Sequence, residues 1–248
     1  MAFSKERKMD YRTMADWSCF DRAYCISLID RPDRRAVAAR QFAAVGLDVE
    51  FHLATRHPND ATEGIYESHL ACLRKGIEAG ARRFLVFEDD VVFDRFSVDS
   101  VRNIAEFVDS SKDFRILFLG CLVKKSWPTD FPMIRGIAFQ ALTQAYAISE
   151  EFAATILRDY PWHGQPYDDF LRDLPQTGFY VLCPAIAFQS NSPSDNKPYL
   201  ALDFLRRAMG GLTRLQKFNE FFHCHRRLII AVHILALAFA LTLFWWLP

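Results

Sequence analysis

The chain has 248 residues, enough for one large domain with a hydrophobic core or for two small ones. Its 30 basic side chains (Lys and Arg) balance its 30 acidic ones, and this zero net charge argues against a dedicated nucleic-acid-binding protein, which normally carries a basic excess. A hydrophobic content of 51% argues against general disorder.

The N-terminal segment, residues 1–20, is predicted to be flexible. It opens with MAFSKERKMDYRTM, which is charged and lacks the apolar stretch of a secretory signal. The six cysteines form no CxxC pair and no zinc-finger spacing, and scattered thiols of this kind suit a reducing compartment.

Strands and helices are predicted to alternate through residues 21–200. Pro32 lies in the first turn of one helix, Gly46 and Gly80 each end a helix, and Ser149 is a predicted N-cap. Such alternation predicts an α/β fold of the Rossmann type, with a mostly parallel central sheet and flanking helices. The apolar runs that predict strands are residues 23–29, 49–53, 84–87, 115–119, 145–148 and 180–183.

The C-terminal segment 228–247 reads LIIAVHILALAFALTLFWWL, which is long and apolar enough to predict a transmembrane helix. Trp245 and Trp246 fall where an interfacial aromatic belt would lie, and the basic flank 223–227 predicts that the body of the protein faces the cytoplasm. The prediction is therefore a membrane protein with a single-pass C-terminal anchor. The alternative is a buried core helix of a soluble protein.

Segment 201–227 is predicted to be a basic amphipathic helix next to the membrane. It could lie in the headgroup region of an anionic bilayer, or pack against the domain as an ordinary helix. The apolar residues that recur at helical spacing are Leu205, Met209, Leu212, Leu215, Phe218 and Phe222.

Three consecutive carboxylates, Glu88-Asp89-Asp90, follow the predicted core strand 84–87. Buried charges need a partner, and a divalent cation is the first candidate; the alternative is a loop with capping carboxylates. A second polar stretch, residues 30–35, follows the first strand and carries Arg31 and Arg34. Ligands of open α/β sheets bind at the carboxyl ends of strands, so the two stretches together suit a metal–diphosphate pair. No P-loop and no GxGxxG motif is present.

Six short sequence blocks occur in one order between about residues 24 and 195. In this order they resemble glycosyltransferase family 25, which groups lipopolysaccharide sugar transferases with collagen galactosyltransferases. The chain departs from the family at Ser27, Ile65 and Glu67, where the family usually has Asn, Cys and an apolar residue. The blocks are Ile26-Ser27-Leu28-Ile29-Asp30-Arg31-Pro32-Asp33-Arg34, Gly64-Ile65-Tyr66-Glu67-Ser68-His69, Glu88-Asp89-Asp90, Tyr146-Ala147-Ile148-Ser149, Pro166-Tyr167-Asp168, and Pro184 with Gln189 and Ser194-Asp195.

The resemblance implies a GT-A-like fold, a UDP-sugar donor and a divalent cation, Mn²⁺ or Mg²⁺. It implies that Asp90 ligates the metal and that Glu88 or Asp89 contacts metal, ribose or sugar. Arg31 and Arg34 are candidates for binding the diphosphate, with surface arginines near a helix start as the alternative.

The resemblance also implies transfer with inversion, which needs one general base near the acceptor hydroxyl. Asp168 and Asp169 are the candidates, and the alternative for both is a helix start or a solvated loop. His69 is either a site residue or a hydrogen-bonded core histidine. Ser68 is either a donor-binding hydroxyl or only a helix-start hydroxyl.

These predictions combine into a membrane-anchored hexosyltransferase. It would move a hexose, with galactose as the first candidate, from a UDP-sugar to a lipid-linked saccharide such as a lipooligosaccharide core. Two alternatives stay open: a catalytically inactive, tail-anchored scaffold of envelope biosynthesis, and a nucleotidyltransferase. A nucleic-acid partner is not expected.

Overall fold

The computed structural model describes residues 15–190 and 211–246. Within them, eight strands form one large sheet and two form a small antiparallel ribbon, β4 with β10. The strands are β1 (Arg22–Leu28), β2 (Glu50–Ala54), β3 (Arg83–Glu88), β4 (Val91–Phe93), β5 (Ile116–Phe118), β6 (Leu122–Pro128), β7 (Ile134–Ala141), β8 (Ala145–Ser149), β9 (Phe179–Leu182) and β10 (Ala187–Gln189). The helices are α1 (Pro32–Ala44), α2 (Ala61–Glu78), α3 (Val98–Ser110), α4 (Glu150–Asp159), α5 (Tyr167–Asp173) and α6 (Gly211–Trp246).

The large sheet is mixed, with the strand order β2-β1-β3-β8-β5-β9-β7-β6. The prediction of an α/β fold with a large central sheet and flanking helices is confirmed, but a mostly parallel sheet is wrong. Only β1 with β2, β1 with β3 and β5 with β9 pair in parallel. β8 runs antiparallel to both of its neighbours, because the chain reverses through the β6–β7 hairpin before β8 enters between β3 and β5.

Successive residues of β3 point to opposite faces of the sheet, and each face has its own core. Phe84 and Val86 join a cluster covered by α2, α4 and α5, while Leu85 and Phe87 join a cluster covered by α1 and α3. A strand buried on both faces therefore carries the acidic motif at its end.

The predicted N-cap at Ser149 is confirmed, since its side chain accepts a hydrogen bond from the N–H of Phe152.

The ordered domain begins earlier than predicted. Trp17 and Phe20 are buried in the core, and Trp17 Nε1 donates a hydrogen bond to the carbonyl of Val45 at 3.0 Å. The predicted flexible segment 1–20 is therefore wrong for residues 15–20, because two large aromatic side chains are buried there. Residues 1–14, together with Ser194-Asp195 and segment 201–210, lie outside the described residues.

Helix α6 combines the two predicted C-terminal segments, and its first half packs on the domain. Among the described residues no single helix is long and apolar enough to cross a membrane; one bent pair, Gly211–Arg226 and Leu228–Ala240, passes that test jointly with a 72° bend. A transmembrane helix over 228–247 therefore stays a prediction. Cys183 and Cys224 form a disulfide between α6 and the segment after β9, and the reducing compartment stays a prediction.

Candidate active site

The acidic motif lies at one edge of the sheet. Glu88 ends β3, and Asp89 and Asp90 form the turn into β4. Because β8 runs antiparallel to β3, its amino end lies at the same edge, and the N–H of Glu88 donates to the carbonyl of Gln144 at 3.0 Å. The first turns of α1 and α5 also meet this edge through Arg34 and Asp168. The topology thus gathers side chains that are far apart in sequence.

Arg34 bridges the two aspartates of the turn. Its Nε atom lies 2.8 Å from Asp89 Oδ1, and its terminal NH2 nitrogen lies 3.0 Å from Asp90 Oδ2. All three side chains are nearly buried, with exposed fractions of 14%, 9% and 12% for Arg34, Asp89 and Asp90. In such surroundings a charge-assisted pair is strong, and losing one partner would leave an uncompensated charge. Arg34 is therefore a fixed part of the acidic edge.

Ser27 supports the same cluster from strand β1. Burial raises the pKa of Asp89, while its hydrogen bond with Ser27 and the charge of Arg34 act in the opposite direction. Ser27 is itself buried. The Ser27 hydroxyl thus contacts the acidic motif directly.

Glu88 and Asp168 share the hydroxyl of Thr143. Thr143 Oγ1 lies 3.1 Å from Glu88 Oε1 and 2.7 Å from Asp168 Oδ1, and Asp168 Oδ2 accepts a hydrogen bond from the N–H of Leu142 at 2.8 Å. Although 28% of the Glu88 side chain is exposed, burial of its carboxyl group, with the Asp90 and Asp168 charges, raises its pKa to about 8. Burial also raises the pKa of Asp168.

One hydroxyl has a single proton and cannot donate to two carboxylates at once. It serves both Glu88 and Asp168 only when one carboxyl group is itself protonated. Burial and the neighbouring Asp90 and Asp168 charges favour the protonated form of Glu88 in the absence of a cation, and burial raises the pKa of Asp168 in the same direction. The pair thus holds one protonated carboxyl group next to one carboxylate, an arrangement that is typical of catalytic sites.

His69 lies fully buried behind the acidic edge. Its ring stacks on Tyr167 with ring centroids 4.1 Å apart, and Nδ1 lies 3.0 Å from the Tyr146 hydroxyl. Burial lowers the pKa of His69 to about 3, so the ring is neutral. Its Nε2 atom has no hydrogen-bond partner among the described residues and lies 3.8 Å from Glu88 Oε1. His69 is therefore a core histidine that also faces the site.

Asp90 carries the strongest indication of a missing ligand. Its Oδ2 atom is held by Arg34 and accepts a hydrogen bond from Gln189 Nε2 at 3.0 Å, whereas its buried Oδ1 atom has no partner in the described part of the chain. A buried carboxylate oxygen without a donor is costly and suits a cation. Within residues 15–190 and 211–246, no three His, Cys, Asp or Glu side chains could hold a metal by themselves. A cation here would need further oxygens from a ligand or water.

The remaining predicted residues lie at varying distances from this cluster. Arg31 pairs with Asp33 at 3.0 Å and adds positive charge near Asp89. Ser68 donates to the carbonyl of Gly64, one turn earlier in α2, so its hydroxyl is engaged within the helix. Asp169 pairs with Arg172 at 2.8 Å on the surface of α5 and is 39% exposed. Of the two adjacent aspartates, only Asp168 joins the Thr143 network.

Sequence reasoning did not assign roles to Ser27, Thr143, Tyr146 or Gln189. Ser27, Tyr146 and Gln189 fall inside the six sequence blocks, so the sequence singled out their positions but not the groups that they contact. Thr143 had no signal, because its importance follows from the antiparallel placement of β8.

Neither a family model nor a curated protein sequence matches the chain. Among solved structures, A197 from STIV is 13% identical over 68% of this chain and 85% of its own, with a TM-score of 0.45. A glycosyltransferase involved in the glycosylation of the major capsid of PBCV-1 is 11% identical over 64% and 80%, with a TM-score of 0.39. HddC from Yersinia pseudotuberculosis is 16% identical over 65% and 68%, with a TM-score of 0.36. Likenesses at this level do not establish a function.

Proposed function

We propose that this chain is a GT-A-like glycosyltransferase related to family 25. It transfers a hexose, with galactose as the first candidate, from a UDP-sugar to a lipid-linked saccharide such as a lipooligosaccharide core. The observation that carries the proposal is the sheet edge where Glu88, Asp89, Asp90 and Asp168 lie together. Arg34 bridges Asp89 and Asp90 there, and the Oδ1 atom of Asp90 has no partner among the described residues. This excess of acid suits a cation that arrives together with a diphosphate.

Glu88 and Asp90 are the residues that would hold Mn²⁺ or Mg²⁺. The ion would act as a Lewis acid that stabilises the negative charge of the departing diphosphate. Arg34 keeps Asp89 and Asp90 in place, and Arg31, at the start of α1, adds positive charge near Asp89 and would contact phosphate oxygens.

Asp168 is the proposed general base of an inverting transfer. The acceptor hydroxyl oxygen forms a bond with the anomeric carbon while its proton passes to the Asp168 carboxylate and the bond between sugar and UDP breaks. The raised pKa of Asp168 favours this role, because a stronger base accepts the proton more readily. Thr143 and the N–H of Leu142 hold the carboxylate in one orientation.

We further propose that the apolar part of α6 anchors the chain in a membrane, with the catalytic domain on the cytoplasmic side. This location would bring the site within reach of a lipid-linked acceptor. Its support is the apolar sequence after Leu228 and the basic flank before it.

The experiment is UDP-sugar turnover with added Mn²⁺, with Asp90→Ala compared to wild type. Asp99→Ala is the matched control, because Asp99 is exposed on α3 and pairs only at the surface with Arg102. Loss of turnover in Asp90→Ala alone supports the proposal, and equal turnover in all three proteins refutes it. Calorimetry with UDP and Mn²⁺ identifies an inactive scaffold, which binds neither, and turnover of a nucleoside triphosphate identifies a nucleotidyltransferase.

A further inference from the structure

The first half of α6 places its polar side chains against the domain. Gln216 is fully buried, and its Nε2 atom donates to the carbonyl of Ala187 at 2.9 Å. Asn219 pairs with both backbone groups of Val123, at 2.9 and 3.0 Å, as a neighbouring strand would. These directional bonds fix the rotation of the helix about its own axis.

Charged contacts hold the same side of the helix. Glu220 pairs with Arg95 through two hydrogen bonds of 2.8 and 3.1 Å and accepts a third, also of 3.1 Å, from the N–H of Ala185. Lys217 pairs with Asp94 at 2.5 Å. Because the polar side chains of these turns contact the domain, most of the apolar side chains face away from it. Leu212 is the exception: it packs on the domain, as the alternative of an ordinary domain-packing helix predicts.

The exposed side of this half-helix is a continuous stripe, which we call the outer face. Its members recur at intervals of one, three and four residues, as one side of a helix requires. Phe218 and Phe221 are 70% and 56% exposed, which is unusual for such large apolar side chains. The outer face consists of Arg214, Leu215, Phe218, Phe221, Phe222, His225 and Arg226.

The bend in α6 relates the outer face to a bilayer. The Leu228–Ala240 half leaves the first half at 72°, so if it runs along the membrane normal, the first half lies about 18° from the membrane plane. When the domain lies on the cytoplasmic side of a helix in that orientation, the outer face is the side that is turned toward the lipid.

Lipid fits this surface better than a protein partner does. The apolar residues described between Leu228 and Phe239 include several that are 45% to 69% exposed and point in all directions, which a one-sided partner could not cover. Arginines stand at both ends of the outer face, and aromatic and leucine side chains fill its middle. That pattern is typical of helices that lie in the headgroup region of anionic bilayers.

We propose that the outer face docks on an anionic bilayer, with Phe218 and Phe221 inserted among the lipids and with Arg214 and Arg226 on the headgroups. This inference rests on the proposed membrane attachment and adds the orientation of the domain. Thr213 Oγ1 donates to the carbonyl of Gln189, whose side chain holds Asp90, so the docked helix and the candidate site are connected through one residue. The site is thereby held at one height above the surface that carries a lipid-linked acceptor.

The test places a photo-crosslinking amino acid, p-benzoylphenylalanine, at position 218 of the full chain in phosphatidylglycerol nanodiscs. The matched control carries it in place of Leu53, which is 49% exposed on β2, at the opposite edge of the sheet from β6 and α6. We expect lipid adducts at position 218 at several times the control yield. Adducts at position 218 to this chain itself or to a second copy, or no excess over the control, would overturn the inference.

A second variant tests the charges. Arg214→Gln with Arg226→Gln should lower the adduct yield at position 218 in anionic discs several-fold and leave it unchanged in phosphatidylcholine discs. Equal yields in anionic discs would overturn the role of the arginines. A chain that does not enter the discs overturns the inference as well, whereas the proposed chemistry is judged separately, by UDP-sugar turnover in detergent.

Discussion

Gln189 holds Asp90 from the neighbouring strand: its Nε2 atom donates to Asp90 Oδ2 at 3.0 Å, and the N–H of Ser190 donates to the Asp90 carbonyl at 2.8 Å. Arg34 contacts the same Oδ2 atom. One oxygen of the carboxylate is therefore fixed by two donors, while Oδ1 has none among the described residues. The Asp90 carboxylate is therefore held in one orientation while Oδ1 is available to a ligand. Such a group is preorganised, since its side chain loses little further conformational freedom when the ligand binds.

Gln189→Leu should weaken the combined binding of UDP and Mn²⁺. Losing a hydrogen bond to a charged acceptor costs about 1.5 kcal/mol or more, which corresponds to roughly a tenfold higher dissociation constant. Calorimetry measures it directly. Gln41→Leu is the control, because Gln41 accepts a hydrogen bond from the N–H of Phe93 on the same β4 strand without touching Asp90. If both variants bind equally well, Gln189 does not position Asp90.

The adjacent aspartates of α5 should behave differently when each is changed to asparagine. Asp168→Asn should reduce UDP-sugar transfer by about a hundredfold or more, because it removes the proposed base. Asp169→Asn loses only an exposed i,i+3 pair with Arg172, so its effect on stability should be within about 0.5 kcal/mol and its turnover near wild type. Steady-state kinetics on both variants decides the assignment, and the reverse order of effects would make Asp169 the base.

Several elements of the fold could be predicted from sequence, because their signals are local. The strand over residues 84–87 and the helix that begins after Ser149 follow from apolar runs and a capping hydroxyl, and both are present. The β6–β7 hairpin was missed, since its strands carry exposed polar residues such as Lys124 and Lys125 and no tight-turn signal. Without that hairpin, the reversed direction of β8 could not be foreseen.

The candidate site was also only partly predictable, because some of its contacts depend on the topology of the sheet. Glu88, Asp89 and Asp90 stand out as charges after a buried strand, and their position at the sheet edge follows from general rules of α/β folds. Thr143 lies at the amino end of an antiparallel strand, so its contacts with Glu88 and Asp168 depend on topology rather than on local pattern. Likewise, Gln216 and Asn219 face the domain because they hydrogen-bond to the backbone of Ala187 and Val123, which a local sequence pattern does not indicate.

Thr143→Val should destabilise the domain by about 1–3 kcal/mol at pH 7, because it removes the hydroxyl that hydrogen-bonds to the carboxyl oxygens of both Glu88 and Asp168. Urea unfolding measures this loss. Thr143→Ser, which keeps the hydroxyl, is the control and should retain most of the stability. If Thr143→Val is as stable as Thr143→Ser, the hydroxyl does not link the two carboxyl groups.

His69 should make the protein less stable in acid. Its pKa is lowered to about 3 in the folded state because the ring is buried, whereas an unfolded histidine titrates near its ordinary 6.5. Between these values the unfolded chain binds the proton and the folded chain does not, so stability is present above pH 6.5 and is lost as the pH falls. Lowering the pH from 8 to 5 should remove about 2 kcal/mol through this residue alone.

His69→Phe isolates that contribution, because phenylalanine keeps the stacking on Tyr167 but cannot be protonated. At pH 8 the variant should be less stable than wild type, since the Tyr146 hydroxyl loses its contact with Nδ1. The gap should narrow by about 2 kcal/mol at pH 5, where only wild type loses stability through this ring. Urea unfolding of both proteins at the two pH values measures this difference in the free energy of unfolding. The carboxyl groups are the same in both proteins, so their effect on stability largely cancels. If the stability difference between the two proteins is the same at both pH values, His69 is protonated in the folded protein or reaches solvent. It would then not be a buried neutral side chain behind Glu88.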